Sequence, residues 1–304
     1  MALIDQINVV NCKASEVLGT GLAGCQLDFG IIKAIALLER GYKFPTTGVT
    51  KSVIQTLQQQ GKLIFLGGVI GFADKTPESN YETNANTGTK KLVLEMPYEF
   101  EMQFDNGLNF QKALTTLSGH SNYDVVLFDN EDRLWGAFTK SGEVKGLSLG
   151  LHQKGNYAFK DGQKSSSQKL MLQLTDRNEI DLRACAIALP DASYTDFDGV
   201  NQVTLTSTGV SAGTVVILKA MLGDNSHLVQ GLISGNFKAT KNGTPLNVTA
   251  VSYTTNPDKI TLTIPAVVAN DVIEIQLYDN TIPSNIIMVS GTLYKSNKLV
   301  VTVA

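Results

Sequence analysis

A chain of 304 residues is too long for one ordinary hydrophobic core, so two domains are expected. Apolar residues make up 43% and charged residues 17%, which excludes a disordered chain, and 27 glycines favour strands and turns. Residues 201–304 carry 6 Lys/Arg against 5 Asp/Glu and residues 1–200 carry 19 against 23, so neither part is a basic nucleic-acid reader.

In chain order, Ile31 to Leu38 is apolar on all sides between Gly30 and Gly41. This reads as a buried strand, although periodicity alone also allows a helix. Thr50 is placed to cap a short helix carrying Val53, Ile54 and Leu57, closed by Gly61. Lys62 to Phe72 reads as a strand. Residues 73–91 have almost no apolar side chain and lie between two strong strands, which predicts a long hairpin arm. In residues 92–104, Leu92, Leu94, Met96, Tyr98, Phe100, Met102 and Phe104 alternate with Val93, Glu95, Pro97, Glu99, Glu101 and Gln103. That period of two predicts one long strand with a buried face and an acidic face, bulged or at an edge because Pro97 lacks a donor. A helix follows from Asp105 or Asn106 to Gly119, carrying Phe110, Ala113, Leu114 and Leu117. Tyr123 to Phe128 and Leu134 to Phe138 form a hairpin around Asp129-Asn130-Glu131-Asp132. Further strands are expected at 143–151, 168–175 and 183–188, with a polar loop over 154–168.

Pro190 to Gly199 is turn-rich and reads as a linker between a domain of residues 1–195 and one of 201–304. Beyond it, strands are expected at 203–206, 214–220, 228–232, 236–240, 246–253, 259–264, 271–278, 286–289 and 299–303, with turns at Lys241-Asn242-Gly243 and Asn256-Pro257-Asp258. So many short strands in that length predict an immunoglobulin-like sandwich. The fold class is therefore mainly β: an N-terminal β-sandwich or barrel with one or two short helices, then a C-terminal immunoglobulin-like β-sandwich.

The residues that bear chemistry fall short of every motif. Cys12, Cys25 and Cys185 are odd in number and lack CxxC spacing, which argues against a disulfide framework or zinc site. His120, His152 and His227 lack ligand spacing. Gly19-Thr20-Gly21-Leu22-Ala23-Gly24, with Glu39 at the acid spacing, matches a dinucleotide fingerprint but has no apolar strand leading into it. Gly146-Leu147-Ser148-Leu149-Gly150, near His152, matches a nucleophile elbow, but the flanking residues read as strand rather than strand–turn–helix. Asp196-Phe197-Asp198-Gly199 is half a calcium loop without its closing acid. No catalytic, cofactor or metal site is expected. Met1-Ala2-Leu3-Ile4-Asp5 has no basic region or long apolar run, so no secretory signal is expected, and no segment is apolar enough for a membrane span.

The long alternating strand, helix and hairpin, preceded by the polar arm and including Tyr123-Asp124-Val125-Val126-Leu127-Phe128-Asp129 and Leu134-Trp135-Gly136, are similar in organisation to the tube-forming proteins of tailed bacteriophages. Residues 236–279 resemble bacterial and phage immunoglobulin-like repeats: an aromatic strand, an Asn-Gly turn, a Thr/Ile strand and an Asn-Asp turn into an apolar strand. The resemblance implies a virion component made in the host cytoplasm, assembling with itself into stacked rings, hexameric if a tube, beside other virion proteins. Its C-terminal domain would be displayed outwards. DNA would pass as repelled cargo, with Glu95, Glu99 and Glu101 facing the lumen, since phosphate contacts would arrest transit. The arm residues Thr76, Pro77, Glu78, Tyr81, Glu82 and Thr87 would contact a neighbour. A neck ring, a head–tail connector and a capsid decoration protein share this pattern. A carbohydrate-binding adhesin would instead need an exposed aromatic platform from Phe237, Tyr253, Tyr278 or Tyr294.

Overall fold

The computed structural model describes residues 1–10, 27–119, 122–163, 165–207, 209–223, 227–255 and 258–304. They divide into two compact units, residues 1–54 with 65–197, and residues 55–64 with 198–304. The fold is mainly β: 49% is strand and 13% helix, so the sheets carry the architecture.

In chain order the first stretch contains α1 (Leu3–Val10), β1 (Ile32–Glu39), α2 (Lys51–Gln59), β2 (Leu63–Gly67), β3 (Val69–Asp74), β4 (Asn80–Thr83), β5 (Lys90–Leu94), β6 (Glu99–Phe104) and α3 (Gly107–Leu117). It continues with β7 (Tyr123–Asp129), β8 (Arg133–Phe138), β9 (Val144–Lys145), β10 (Leu147–Lys154), β11 (Gln168–Leu174), α4 (Asn178–Asp181) and β12 (Ala184–Ala188). Ten of these strands form a sheet that curls into a half-barrel, seven of them in the order β12-β8-β7-β10-β11-β6-β3. β1 joins it through β7, with β2 on its other side, and β9 joins through β8. The antiparallel β1–β7 ladder runs from Ile32 opposite Asp129 to Glu39 opposite Tyr123. Ala34 to Leu38 are fully buried, which is why this run is apolar on both faces and is a strand. The same unit buries Phe104, Phe128 and Trp135 fully, each contributing about 1.5–3 kcal/mol by its removal from water. The Gln6 side chain docks α1 by bonding both the N–H and the carbonyl of Val49, each at 2.7 Å.

Three expected strands of this unit are each divided. Residues 143–151 become β9 and the start of β10, on either side of Gly146. Lys62 to Phe72 becomes β2 and β3, because Gly68 adopts φ +75°, a left-handed conformation that ends one strand and starts the other. Residues 92–104 become β5 and β6, which belong to different sheets. Pro97, with no N–H to donate, sits in the break. Only Phe100, Met102 and Phe104 of the alternating series are buried, whereas Leu92 and Leu94 are exposed. Thr50 caps α2 as expected, its hydroxyl accepting from the Val53 N–H at 3.3 Å. Residues 190–197 pack within the first unit: Phe197 is buried against Phe65 and Phe128, and Asp196 pairs with Lys51 at 2.9 Å.

The second unit contains β13 (Asn201–Ser207), β14 (Gly213–Leu222), β15 (Phe237–Lys241), β16 (Thr244–Leu246), β17 (Ala250–Thr255), β18 (Asp258–Val267), β19 (Val272–Leu277), β20 (Ile286–Val289), β21 (Thr292–Ser296) and β22 (Leu299–Thr302). A six-stranded sheet, β17-β18-β14-β13-β21-β20, and a four-stranded sheet, β16-β15-β19-β22, form the expected sandwich. Val203, Leu218, Ile260 and Leu262 of one sheet share a buried core with Phe237, Ile273 and Ile275 of the other. The expected strand at 228–232 is absent. Val229 and Leu232 are buried there, and the Tyr253 hydroxyl satisfies the N–H and carbonyl of Leu232 in place of a ladder. The expected strand 246–253 is instead β16 and β17, and β21 adds a strand that the sequence reading omits.

Asn242 and Gly243 both adopt positive φ, +51° and +80°, making the tight turn between β15 and β16. Asn242 also donates to Asp271 at 2.8 Å, and Asp271 accepts from the Val268 N–H at 2.9 Å. That backbone bond and then Asn242 hold the Asp271 carboxyl below its ordinary value of 3.8. A depressed carboxyl stabilises the fold above its unfolded value, and the contribution is lost as pH falls through the folded value. The Val268 amide should therefore exchange faster with solvent as pH is lowered through this range, after correction for intrinsic exchange. Asp271→Asn should flatten that dependence; an unchanged pH profile would rule the carboxyl out as its source.

Candidate functional site: a hairpin arm and an apolar groove

The arm grows from the β3–β6 ladder, whose last register pair is Asp74 with Phe100. Lys75 donates to the Glu99 carbonyl at 2.8 Å, and Glu99 donates to the Thr76 hydroxyl at 3.1 Å. Pro77 on one side and Pro97 on the other then interrupt pairing. The second ladder starts at Asn80 with Leu94 and runs to Thr83 with Lys90. Its turn closes on itself: the Asn84 side chain accepts from the Asn86 N–H at 2.9 Å, and Gly88 takes φ +69°.

Every residue of β4 and β5 is exposed. Tyr81 lies opposite Leu92, so the two share a face, and a bulge separates them from the next pair, Leu94 opposite Asn80. Tyr81, Leu92 and Leu94 are 58%, 46% and 54% exposed. An isolated two-stranded hairpin is marginal in water, and this one carries its apolar face without a core beneath it.

The expected arm residues occupy distinct parts of this hairpin. Thr76 anchors the root, Pro77 and Glu78 lie in the break, Tyr81 and Glu82 are on β4, and Thr87 is in the turn. Among them Tyr81 supplies apolar surface. Leu92 and Leu94 escape the sequence reading because their alternation with Phe100 and Met102 assigns them to a core. Of the expected acidic face, Glu99 and Glu101 share β6 while Glu95 lies in the break before it. Each has a partner: Lys169 pairs with Glu101 at 2.8 Å, Gln173 donates to Glu99 at 2.6 Å, and Arg177 approaches Glu95 at 3.5 Å.

β3 ends the sheet path, pairing among the described residues with β6 alone. Beside it lies an apolar groove of about 510 Å³, lined by Phe29, Ile31, Ile70, Phe72, Tyr98 and Phe100 among others. Ile31 and Ile70 are 64% and 59% exposed. Tyr98 is fixed by a 2.5 Å bond to Asp181, which pushes its hydroxyl above the usual range, and by the Arg177 guanidinium 4.8 Å from its ring centre. Asp74 lies at the groove, its carboxyl held below the usual range by hydrogen bonds from Thr76.

The chain matches no protein-family model and no curated protein.

The remaining motifs are in other settings. Ser148 lies in strand β10, where its N–H and hydroxyl both bond to Glu179 and the Lys145 ammonium bonds to its oxygen. His152 bonds through Nε2 to the Leu117 carbonyl. Asp196 accepts from the Ser193 N–H, the geometry of a capped turn. Cys185 is buried, and burial pushes its thiol up to about 12. Among the described residues no group of His, Cys, Asp and Glu could hold a metal ion, and no helix is long and apolar enough to cross a membrane. Cys12, Cys25, Gly19 to Gly24, His120 and the Asn256-Pro257 pair lie outside the described residues.

Proposed function

We propose that this protein is a non-enzymatic structural subunit that assembles with copies of itself, the arm being the element that a neighbour covers. The exposed apolar ribbon of Tyr81, Leu92 and Leu94 carries this reading. Ordering such a hairpin costs about 1–2 kcal/mol of backbone entropy per residue, and burial of its apolar face against another subunit would offset that cost.

The arm and the surface that receives it would be unlike, so the contact is heterologous and builds rings or extended stacks. Combined with the resemblance of the sequence, this supports a virion component, most specifically a tail tube of stacked rings around passing DNA with the C-terminal sandwich outside. The acidic strand contributes less to DNA repulsion than its sequence implies, since Lys169 and Arg177 accompany Glu101 and Glu95. A neck ring, connector or decoration protein would use the same contacts and differ by location in the particle. The adhesin reading loses support because Phe237 is buried and none of Tyr253, Tyr278 and Tyr294 is exposed.

Replacement of residues 77–97 by a short Gly-Ser turn leaves the β3–β6 ladder intact. The shortened protein should fold as a monomer, while the full chain forms rings or tubes under the electron microscope. Amides of β4 and β5 should exchange freely in the monomer and be protected in the assembly. Normal assembly of the shortened protein would sink the proposal.

A further inference from the structure

We infer that the groove beside β3 receives the Tyr81–Leu92 face of the arm of a second copy of this chain, with β5 lying antiparallel along the free edge of β3. This rests on the self-assembly reading and names its receiving surface.

Groove and strand together present two unmet requirements: exposed apolar side chains, and a backbone edge of β3 that is unpaired among the described residues. An occupant that meets both is an extended strand with a free edge and an apolar side chain on the face it presents. β5 is such a strand. Among the described residues it pairs only with β4, so its outer edge is free, and Leu92 shares a face with Lys90 in the regular part of its ladder.

The two sequences also match in register. Ile70, Phe72 and Asp74 are the exposed positions of β3. An antiparallel β5 that sets Leu92 opposite Phe72 sets Lys90 opposite Asp74, both within the regular stretches of their strands. One apolar pair and one pair of opposite charge then line up on one face, the combination that stabilises neighbouring strands. The low carboxyl value of Asp74 keeps it charged for that pair. The same chain's own arm could not make this match. Folded back on its root, it would break the Lys75–Glu99 bond and bring β5 beside β3 in parallel, with Lys90 far from Asp74.

Incorporation of the photo-crosslinker p-benzoyl-phenylalanine in place of Leu92, in a mixture of isotopically light and heavy full-length protein, tests the contact. Crosslinked peptides should join residue 92 of one copy to residues 69–74 or 98–100 of another. Charge reversal checks the register independently of that label. Lys90→Glu and Asp74→Lys should each raise the concentration needed for assembly by about tenfold, and the double variant should restore it. Assembly with crosslinks elsewhere on the second copy, or within one copy, would overturn the groove assignment and leave self-assembly standing. So would single reversals that the double variant fails to rescue. Absence of any assembly by the unmodified chain would overturn the self-assembly reading itself.

Discussion

Lys145→Met should destabilise the first unit by about 3–5 kcal/mol, because it strands a buried carboxylate. Glu179 is 2% exposed on α4. Its Oε1 accepts from the Lys145 ammonium at 2.6 Å and from the Ser148 hydroxyl at 2.9 Å, and its Oε2 accepts from the Ser148 N–H at 2.6 Å. The Lys145 side chain is only 17% exposed, so water screens the pair weakly. Met keeps the length of the stem and removes the charge. The Ser148 bonds remain but cannot neutralise the carboxylate. Asp124 lies opposite Ser148 on β7, and burial pushes its carboxyl above the usual value of 3.8 while the Lys145 charge opposes that shift. A raised carboxyl favours the folded state while protonated and ceases to do so as pH rises through its folded value. Without Lys145 that window should extend upward, so the deficit of the variant should shrink in acid. The double variant with Glu179→Gln should recover most of the loss, which separates the stranded charge from lost packing. Urea unfolding followed by the fluorescence of Trp135, the chain's one tryptophan, measures both. A single-variant loss below about 1 kcal/mol would show that the pair contributes no more than a surface one.

The same network illustrates what the amino-acid order reveals and what it hides. Gly146 to Gly150 satisfies a nucleophile-elbow pattern, yet Ser148 serves a carboxylate that lies far along the chain and has no local signature. Local signals were sufficient where strands run uninterrupted between turns: β7, β8, β11 and β12 appear close to where alternation and apolar runs place them. They failed at residues 92–104, where a continuous period of two crosses Pro97. Alternation reports which side chains share a face and is silent about what covers that face. Half of the pattern therefore faces the core through β6 and half faces solvent through β5. The arm was legible because residues 73–91 are too polar to build a core. Its groove was not, since its lining joins residues far apart in the chain, from Phe29 and Ile31 through Ile70, Phe72 and Phe100 to Leu127 and Ile180.

Asp129→Ala is the second large effect, about 3–5 kcal/mol, and it bears on the wall of that groove. The Asp129 side chain is fully buried at the end of β7. Its Oδ1 accepts from the N–H groups of Glu131 and Arg133 at 2.9 and 3.1 Å, which shapes the turn into β8. Its Oδ2 accepts from Arg133 Nε and Trp135 Nε1, both at 2.7 Å. Alanine removes all four acceptor contacts and leaves a buried indole N–H without a partner, which costs more than the bonds themselves contribute. The guanidinium of Arg133 retains Glu131 at 3.0 Å, which limits the loss on that side. The neighbouring Asn130 bonds the Ile31 N–H at 2.8 Å, and Phe29 stacks on Trp135 at 4.0 Å, so the turn holds the start of β1 where it lines the groove. Asp129→Asn keeps one side-chain oxygen and should fall between the two. Urea midpoints give the stability order, and the emission of Trp135 should shift to the red in the alanine variant as water reaches the indole. An alanine variant within about 1 kcal/mol of the parent, with unshifted emission, would mean that another group replaces the carboxylate at this turn.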